Sequence, residues 1–118
     1  MRLRFSLLFL ALLLPSICSA SHCDKVLAND ELINCLGKDY SNIDRRLNQV
    51  YNALRGKLSA EKRKSLKESQ LAWLASREKQ CEEEASQVAG GQAYQPTYIE
   101  CQISATASRI KKLRESKW

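Results

Sequence analysis

The chain has a single histidine, His22, and no two cysteines with only two residues between them. Histidine is the usual general base and the commonest metal ligand, so one histidine near the start of the chain gives little basis for either role. Zinc sites and thiol redox motifs need closely spaced cysteines, which are absent. Carboxylate pairs such as Asp39 with Asp44 remain, but nothing beyond residue type supports them. We therefore predict that the protein is not an enzyme and has no metal or cofactor.

Long apolar runs are also scarce. The run at residues 7–14 is too short for a membrane span, which needs about 20 residues. It follows Arg2 and Arg4 and precedes the small residues Ser19 and Ala20, which is the order of a secretory signal peptide. We predict a signal peptide at residues 1–20 and one domain at residues 21–118. The mature protein would be periplasmic or secreted, with no stable membrane anchor.

The predicted mature chain has four cysteines, an even number that favours two disulfides in a small exported protein. Cys81 and Cys101 lie almost symmetrically around a predicted turn, so they are the preferred pair, and Cys23 would then join Cys35. Pairing of Cys35 with Cys81 is the main alternative. Four cysteines allow three connectivities, and the spacing alone does not choose among them.

Apolar residues recur every three or four positions through three segments, which predicts helices, and no alternating strand pattern competes. The predicted helices cover about residues 29–57, 60–88 and 96–118. Ser59 is placed to cap the second helix, Gly90 and Gly91 should end it, and a break in the first helix near Gly37 is possible. The predicted fold is all-α, a three-helix antiparallel bundle with two disulfides.

The second predicted helix carries a mixed stripe at spacings of three, four and four, formed by Gln70, Trp73, Arg77 and Cys81. These spacings place an amide, an indole, a guanidinium and a sulfur on one helix face. A buried polar group without a partner costs about 1–3 kcal/mol, so the stripe needs specific neighbours.

The first helix can supply those neighbours if a tight turn makes the first two helices antiparallel. Facing residues would then have numbers that add up to about 118, which places Asn48 opposite Gln70 and Asp44 within reach of Arg77. We call this predicted contact the seam. Its members are Asp44, Asn48, Tyr51, Gln70, Trp73 and Arg77.

Three groups of residues resemble one known family. They are Asp44-x-x-Leu47-Asn48-x-x-Tyr51, Gln70-x-x-Trp73-Leu74-x-x-Arg77-x-x-x-Cys81 and Arg109-x-x-x-Leu113. The pattern resembles the N-terminal domain of the LprI-like lysozyme inhibitors, which are small exported bacterial proteins, and it extends over about residues 23 to 115. The resemblance implies a helical, disulfide-linked protein. For one branch of the family it also implies inhibition of c-type lysozyme.

The resulting hypothesis is a protein that binds c-type lysozyme and occludes its cleft. Possible partner-binding residues form an acidic group near the end of the second helix: Glu78, Glu82, Glu83 and Glu84. Without Arg2 and Arg4 the chain keeps 17 basic and 13 acidic side chains, a net charge of +4. Lysozymes of this type are strongly basic, so the net charge argues against long-range attraction.

The alternative is a periplasmic interaction module for another envelope protein. Tyr94, Tyr98 and Trp118 are its candidate contacts, since an exposed apolar patch outside the core would favour it. Lys and Arg are interleaved with Glu along the helices, which is typical of a solvated face, so no nucleic-acid partner is expected. The sequence does not predict the oligomeric state.

Overall fold

A computed structural model describes residues 22–25, 28–88 and 91–118. The predicted signal peptide and Gly90 lie outside these residues. A short 3₁₀ turn at His22–Lys25 precedes three helices, α1 (Asn29–Gly56), α2 (Ala60–Ser86) and α3 (Tyr94–Glu115), and the described residues include no strand. The predicted all-α fold is confirmed.

The helix ends follow their local chemistry. The Ser59 hydroxyl accepts a hydrogen bond from the Lys62 backbone N–H at 3.4 Å, so the predicted cap of α2 is confirmed. The possible break at Gly37 is absent, and α1 is continuous over 28 residues. A glycine inside a helix costs only about 1 kcal/mol relative to alanine, which the packing of a long helix can offset.

The third helix is the main packing partner of the other two. α3 contacts both α1 and α2, whereas α1 and α2 have little direct contact. α3 runs parallel to α1, since Ile33 lies near Gln95 and Ile43 lies near Ile110. α2 runs antiparallel to both. The predicted α1–α2 pairing is therefore wrong as the principal contact, because α3 covers the buried stripe of α2.

The predicted facing register of α1 and α2 survives as an open groove. Asp44 and Leu74, Asn48 and Gln70, and Tyr51 and Lys67 line its two walls. Each pair has numbers that add up to 118, as the tight turn predicts. The turn thus fixed which residues face each other, but the two helices remain too far apart for these side chains to form a packed contact.

The apolar core lies at one end of the bundle, and the disulfides lie at the other. Leu47, Leu66, Ile110 and Leu113 form the buried cluster, with Trp73 and other half-buried residues packed against it. Towards the opposite end the buried apolar residues include both members of one disulfide, together with Leu36 and Ala85. The disulfides therefore reinforce the end that has the smaller hydrophobic core.

The two disulfides join Cys23 to Cys35 and Cys81 to Cys101, with Cα–Cα distances of 5.8 and 5.5 Å. The preferred pairing is confirmed, and the Cys35–Cys81 alternative is wrong. Each bond closes a short loop, of 12 and 20 residues in sequence separation, so each should stabilise the fold by about 2–4 kcal/mol.

Among the described residues, no helix is apolar and long enough to span a membrane.

Candidate functional site

The polar stripe of α2 is buried against α3 rather than α1. Arg77, only 6% exposed, donates from Nη1 to Thr106 Oγ1 at 3.2 Å. Arg109 donates from Nε to Gln70 Oε1 at 2.9 Å. The expected partners on α1 are wrong: within the described helices, Arg77 makes no ion pair with Asp44. The cause is the position of α3, which lies directly against the face that α1 was expected to cover.

Trp73 lies beside two guanidinium groups. The Cζ atoms of Arg77 and Arg109 lie over its ring, 5.0 and 5.6 Å from the centroid. Arg77 also lies over the ring of Tyr40 at 5.7 Å, which joins α1 to the same cluster. The structure therefore brings Gln70, Trp73 and Arg77 together, while the other predicted seam residues, Asp44, Asn48 and Tyr51, line the groove.

Arg109 is buried without a carboxylate partner among the described residues. Its second donor, Nη2, binds the Ser69 hydroxyl at 3.0 Å, so both of its hydrogen-bond acceptors are neutral. Burial lowers the pKa of the Arg109 guanidinium. The Trp73 ring supplies the remaining compensation for this charge through a cation–π contact.

Glu78 is the centre of a hydrogen-bond network that connects α2 to α3. Tyr98 Oη donates to Glu78 Oε2 at 2.5 Å, and Gln102 Nε2 donates to Glu78 Oε1 at 3.1 Å. The hydrogen bond from Tyr98 is the main reason that the pKa of Glu78 is lowered, and Arg77 acts in the same direction. The same bond raises the pKa of Tyr98 to about 12.

We expect Tyr98 to ionise near pH 12 rather than at its ordinary value of 10.0. Since the folded-state pKa is the higher one, the contribution of this contact to stability should be complete below pH 10 and lost as the pH rises towards 12. Tyrosinate absorbance of the wild type minus that of Tyr98→Phe would measure this pKa. A difference curve centred at pH 10 in the folded protein would contradict the network.

The other acidic residues proposed for partner binding remain exposed at the end of α2. Glu83 lies 3.9 Å from Lys79, and Glu84 accepts a hydrogen bond from Gln80 at 2.9 Å. Consecutive helical residues are rotated by about 100°, so Glu82, Glu83 and Glu84 point in three directions. Glu78 differs from them because its carboxylate is bound within the network. The three exposed carboxylates therefore surround the end of α2 rather than form one narrow patch.

Charge is segregated along the bundle. The Cys81–Cys101 bond places the end of α2 beside the start of α3, and the contact of Arg77 with Tyr40 places both near the first half of α1. We define the acidic end as the described residues within 22–41, 78–88 and 91–105, and the basic end as residues 42–77 and 106–118. The acidic end has nine acidic and three basic side chains, a net charge of −6. The basic end has 14 basic and four acidic side chains, a net charge of +10.

The acidic end includes residues that the sequence interpretation did not propose for binding. Its carboxylates are Asp24, Asp30, Glu31, Asp39, Glu78, Glu82, Glu83, Glu84 and Glu100. They come from separate segments that the fold brings to the same end of the bundle, so a charge count along the chain does not reveal them. The residues of α3 that contact α2 can be found more easily from the sequence. They recur at spacings of four, four and three, like the stripe of α2, and are Tyr98, Gln102, Thr106 and Arg109.

One group of possible metal donors occurs among the described residues. The donor atoms of Cys23, Cys35 and Asp39 lie within 4.8 Å of one another. The two sulfur atoms are joined in a disulfide, so they are not the thiolates that a metal site would use.

The sequence model of one protein family, described as lysozyme inhibitor LprI, matches residues 23–113. The chain belongs to the lysozyme inhibitor LprI family. The resemblance found in the sequence is confirmed. Neither the curated proteins nor the solved structures include a match to this chain.

The LprI match includes most of the structure described above. It begins at Cys23 and so contains both disulfides, the Glu78 network, the Trp73 cluster and every carboxylate of the acidic end. The acidic end is therefore part of the LprI region and not an addition to it.

Proposed function

We propose that this LprI-family protein is exported and inhibits c-type lysozyme by binding through its acidic end and covering the cleft. The family match over residues 23–113 carries the proposal, and the acidic end supplies a surface with the right charge. Binding rather than chemistry is the mode of action. The site combines carboxylates with a fixed backbone and needs no cofactor.

The net positive charge does not prevent attraction to a basic partner, because the charges are separated. α2 has 27 residues and is therefore about 40 Å long at 1.5 Å per residue. The centres of the two ends are then about 20 Å apart, which is more than twice the Debye length of about 8 Å at physiological ionic strength. A basic protein that approaches the acidic end therefore interacts mainly with the net charge of that end, which is −6.

The acidic end is also held in place before binding. Both disulfides lie there, and the Glu78 network joins α2 to α3 beneath the exposed carboxylates. A surface that is already ordered loses less conformational freedom when it binds.

The charges at the end of α2 oppose helix stability. The last turn of α2 has no basic residue, although cations there would interact favourably with the helix dipole, and each carboxylate near a helix C-terminus is unfavourable by about 0.3–1 kcal/mol. Binding to a basic partner would turn these locally unfavourable charges into favourable contacts.

A lysis assay with bacterial cell walls tests the proposal. Oxidised protein should inhibit c-type lysozyme in proportion to its concentration, and the variant Glu82→Lys, Glu83→Lys, Glu84→Lys should inhibit at least about tenfold less, since charge pairs affect both encounter and affinity. The new lysines interact favourably with the dipole at the end of α2 but lose the contacts with Lys79 and Gln80, so thermal unfolding of the variant is measured beside the assay.

The control is Glu61→Lys, Glu68→Lys, Glu115→Lys, which changes the net charge equally but at the basic end. We expect it to inhibit within about twofold of the wild type, since exposed charges more than a Debye length from the contact are largely screened. Absence of inhibition at large molar excess of the wild type would remove lysozyme as the partner. An equal loss in both variants would remove the acidic end as the binding surface.

The alternative, an interaction module for another envelope protein, has one supporting observation. Leu71 is 56% exposed on the wall of the α1–α2 groove, next to Leu74 and Tyr51. Of the aromatic contacts considered earlier, Trp118 packs on the core and Tyr98 is bound to Glu78, so Tyr94 is the most exposed. Recovery of a different envelope protein by the wild type, and its loss with Leu71→Glu, would support this alternative.

A further inference from the structure

The basic end forms a large cationic surface that the lysozyme proposal does not use. Of its 14 basic residues, Arg77 and Arg109 are buried and the other twelve are exposed. Among the described residues, Lys111 is the one exposed cation of this end within 4.0 Å of a side-chain carboxylate, that of Glu115. The exposed cations are Arg45, Arg46, Arg55, Lys57, Lys62, Arg63, Lys64, Lys67, Lys111, Lys112, Arg114 and Lys117.

Most of these cations lie near the end of α1, the start of α2 and the end of α3, which meet at the tip of the bundle, while Arg45 and Arg46 lie farther along α1. Arg63 Nε donates to the backbone oxygen of Arg55 at 3.0 Å, which connects the end of α1 to the start of α2. Lys62 Nζ donates to the backbone oxygen of Trp118 at 2.7 Å, which brings the segment after α3 to the same place. The turn at residues 57–59 lies between these contacts, so the tip is continuous.

We propose that the basic end binds the anionic surface of a phospholipid bilayer, with the acidic end directed away from the membrane. The cations are long, flexible and distributed over three helix ends, which suits a flat array of phosphates better than a single defined anion. Juxtamembrane Lys and Arg residues are attracted to anionic headgroups in this way without a specific pocket.

Trp118 provides a second observation at this end. Its indole packs against the apolar core cluster, and its Nε1 is buried without a hydrogen-bond partner among the described residues. Trp118 is half-buried beside these cations, and tryptophan favours the boundary between water and lipid.

Binding to the membrane does not depend on the lysozyme proposal, since it uses the opposite end. The two would combine usefully, because a protein held by its basic end would present its acidic end to an approaching basic protein. The lysis assay and the vesicle assay can therefore fail separately.

Co-sedimentation with vesicles tests the proposal. The oxidised protein should sediment with vesicles of phosphatidylglycerol and phosphatidylcholine, should be released by added salt, and should not sediment with phosphatidylcholine alone. Each lysine near an anionic surface contributes about 1 kcal/mol, or about a fivefold change in affinity. The variant Lys57→Gln, Lys64→Gln, Lys117→Gln should therefore bind about 100-fold more weakly.

The chain offers a matched control. Lys25→Gln, Lys38→Gln, Lys79→Gln removes all three cations of the acidic end and changes the net charge by the same amount. We expect this control to bind anionic vesicles within about twofold of the wild type, and we expect both variants to keep the wild-type circular dichroism spectrum. The absence of binding to anionic vesicles, equal binding to neutral vesicles, or equal losses in the two variants would each overturn the proposal.

Discussion

Replacing Trp73 with alanine is expected to lower the free energy of unfolding by about 3–5 kcal/mol, as other truncations of large core aromatics do. The ring packs against the core cluster and lies beneath the guanidiniums of Arg77 and Arg109. Its removal leaves a cavity and takes away two cation–π contacts. Burial already disfavours the charge of Arg109, and its remaining partners are neutral, so this residue should lose most from the change.

Chemical denaturation of the oxidised protein would measure the effect. Leu71→Ala is the control, since Leu71 is two residues away on the same helix but 56% exposed, and surface substitutions of this kind usually change stability by less than about 0.5 kcal/mol. Equal stability of Trp73→Ala and the wild type would show that the ring is not part of the packed contact between α2 and α3.

Removing the Cys81–Cys101 bond by a double substitution to serine is expected to lower the free energy of unfolding by about 2–4 kcal/mol. The loss should be uneven along the bundle. This bond joins α2 to α3 at the acidic end, whereas Leu47, Leu66, Ile110 and Leu113 hold the basic end together without it. The acidic end should become less ordered, and inhibition in the lysozyme assay should weaken as a result. Most of the helix content should remain.

Amide hydrogen exchange would locate the change. Protection should fall mainly in residues 78–88 and 91–105, and less in residues 60–72 and 106–115. The double substitution at Cys23 and Cys35 serves as the comparison. The bond that it removes closes a shorter loop, and its removal leaves α2 joined to α3 through Cys81–Cys101. A uniform loss of protection in the Cys81–Cys101 variant would contradict a separate contribution of that bond to the acidic end.

The sequence predicts the helices of this protein well because periodicity is a local property. The repeat of apolar residues and the Ser59 cap each depend on a few neighbouring positions, and they predict the three helices that the structure has. The stripe of Gln70, Trp73 and Arg77 was correctly expected to need polar partners. The preferred disulfide pairing is confirmed, although the spacing of the cysteines left Cys35–Cys81 open as an alternative.

The identity of the packing partner was not accessible in the same way. Periodicity shows which face of α2 is buried, but α1 and α3 both offer complementary polar residues. The short turn after α1 favoured α1, and the choice was wrong because α3 also follows α2 antiparallel and is held to it by the Cys81–Cys101 bond. Charge segregation was missed for a related reason. Asp30, Glu82 and Glu100 are far apart in the chain, and their place at one end of the bundle is evident only when the directions of the helices are known.

The dependence of lysozyme association on salt tests the central claim, that the acidic end and not the net charge governs the encounter. The association rate of the oxidised protein with c-type lysozyme should be measured over a range of ionic strength, in the absence of cell walls. We expect the rate to fall as salt is added, because screening weakens attraction between the acidic end and a basic protein. A rate that rises with salt would show repulsion between two positively charged proteins and would contradict the account.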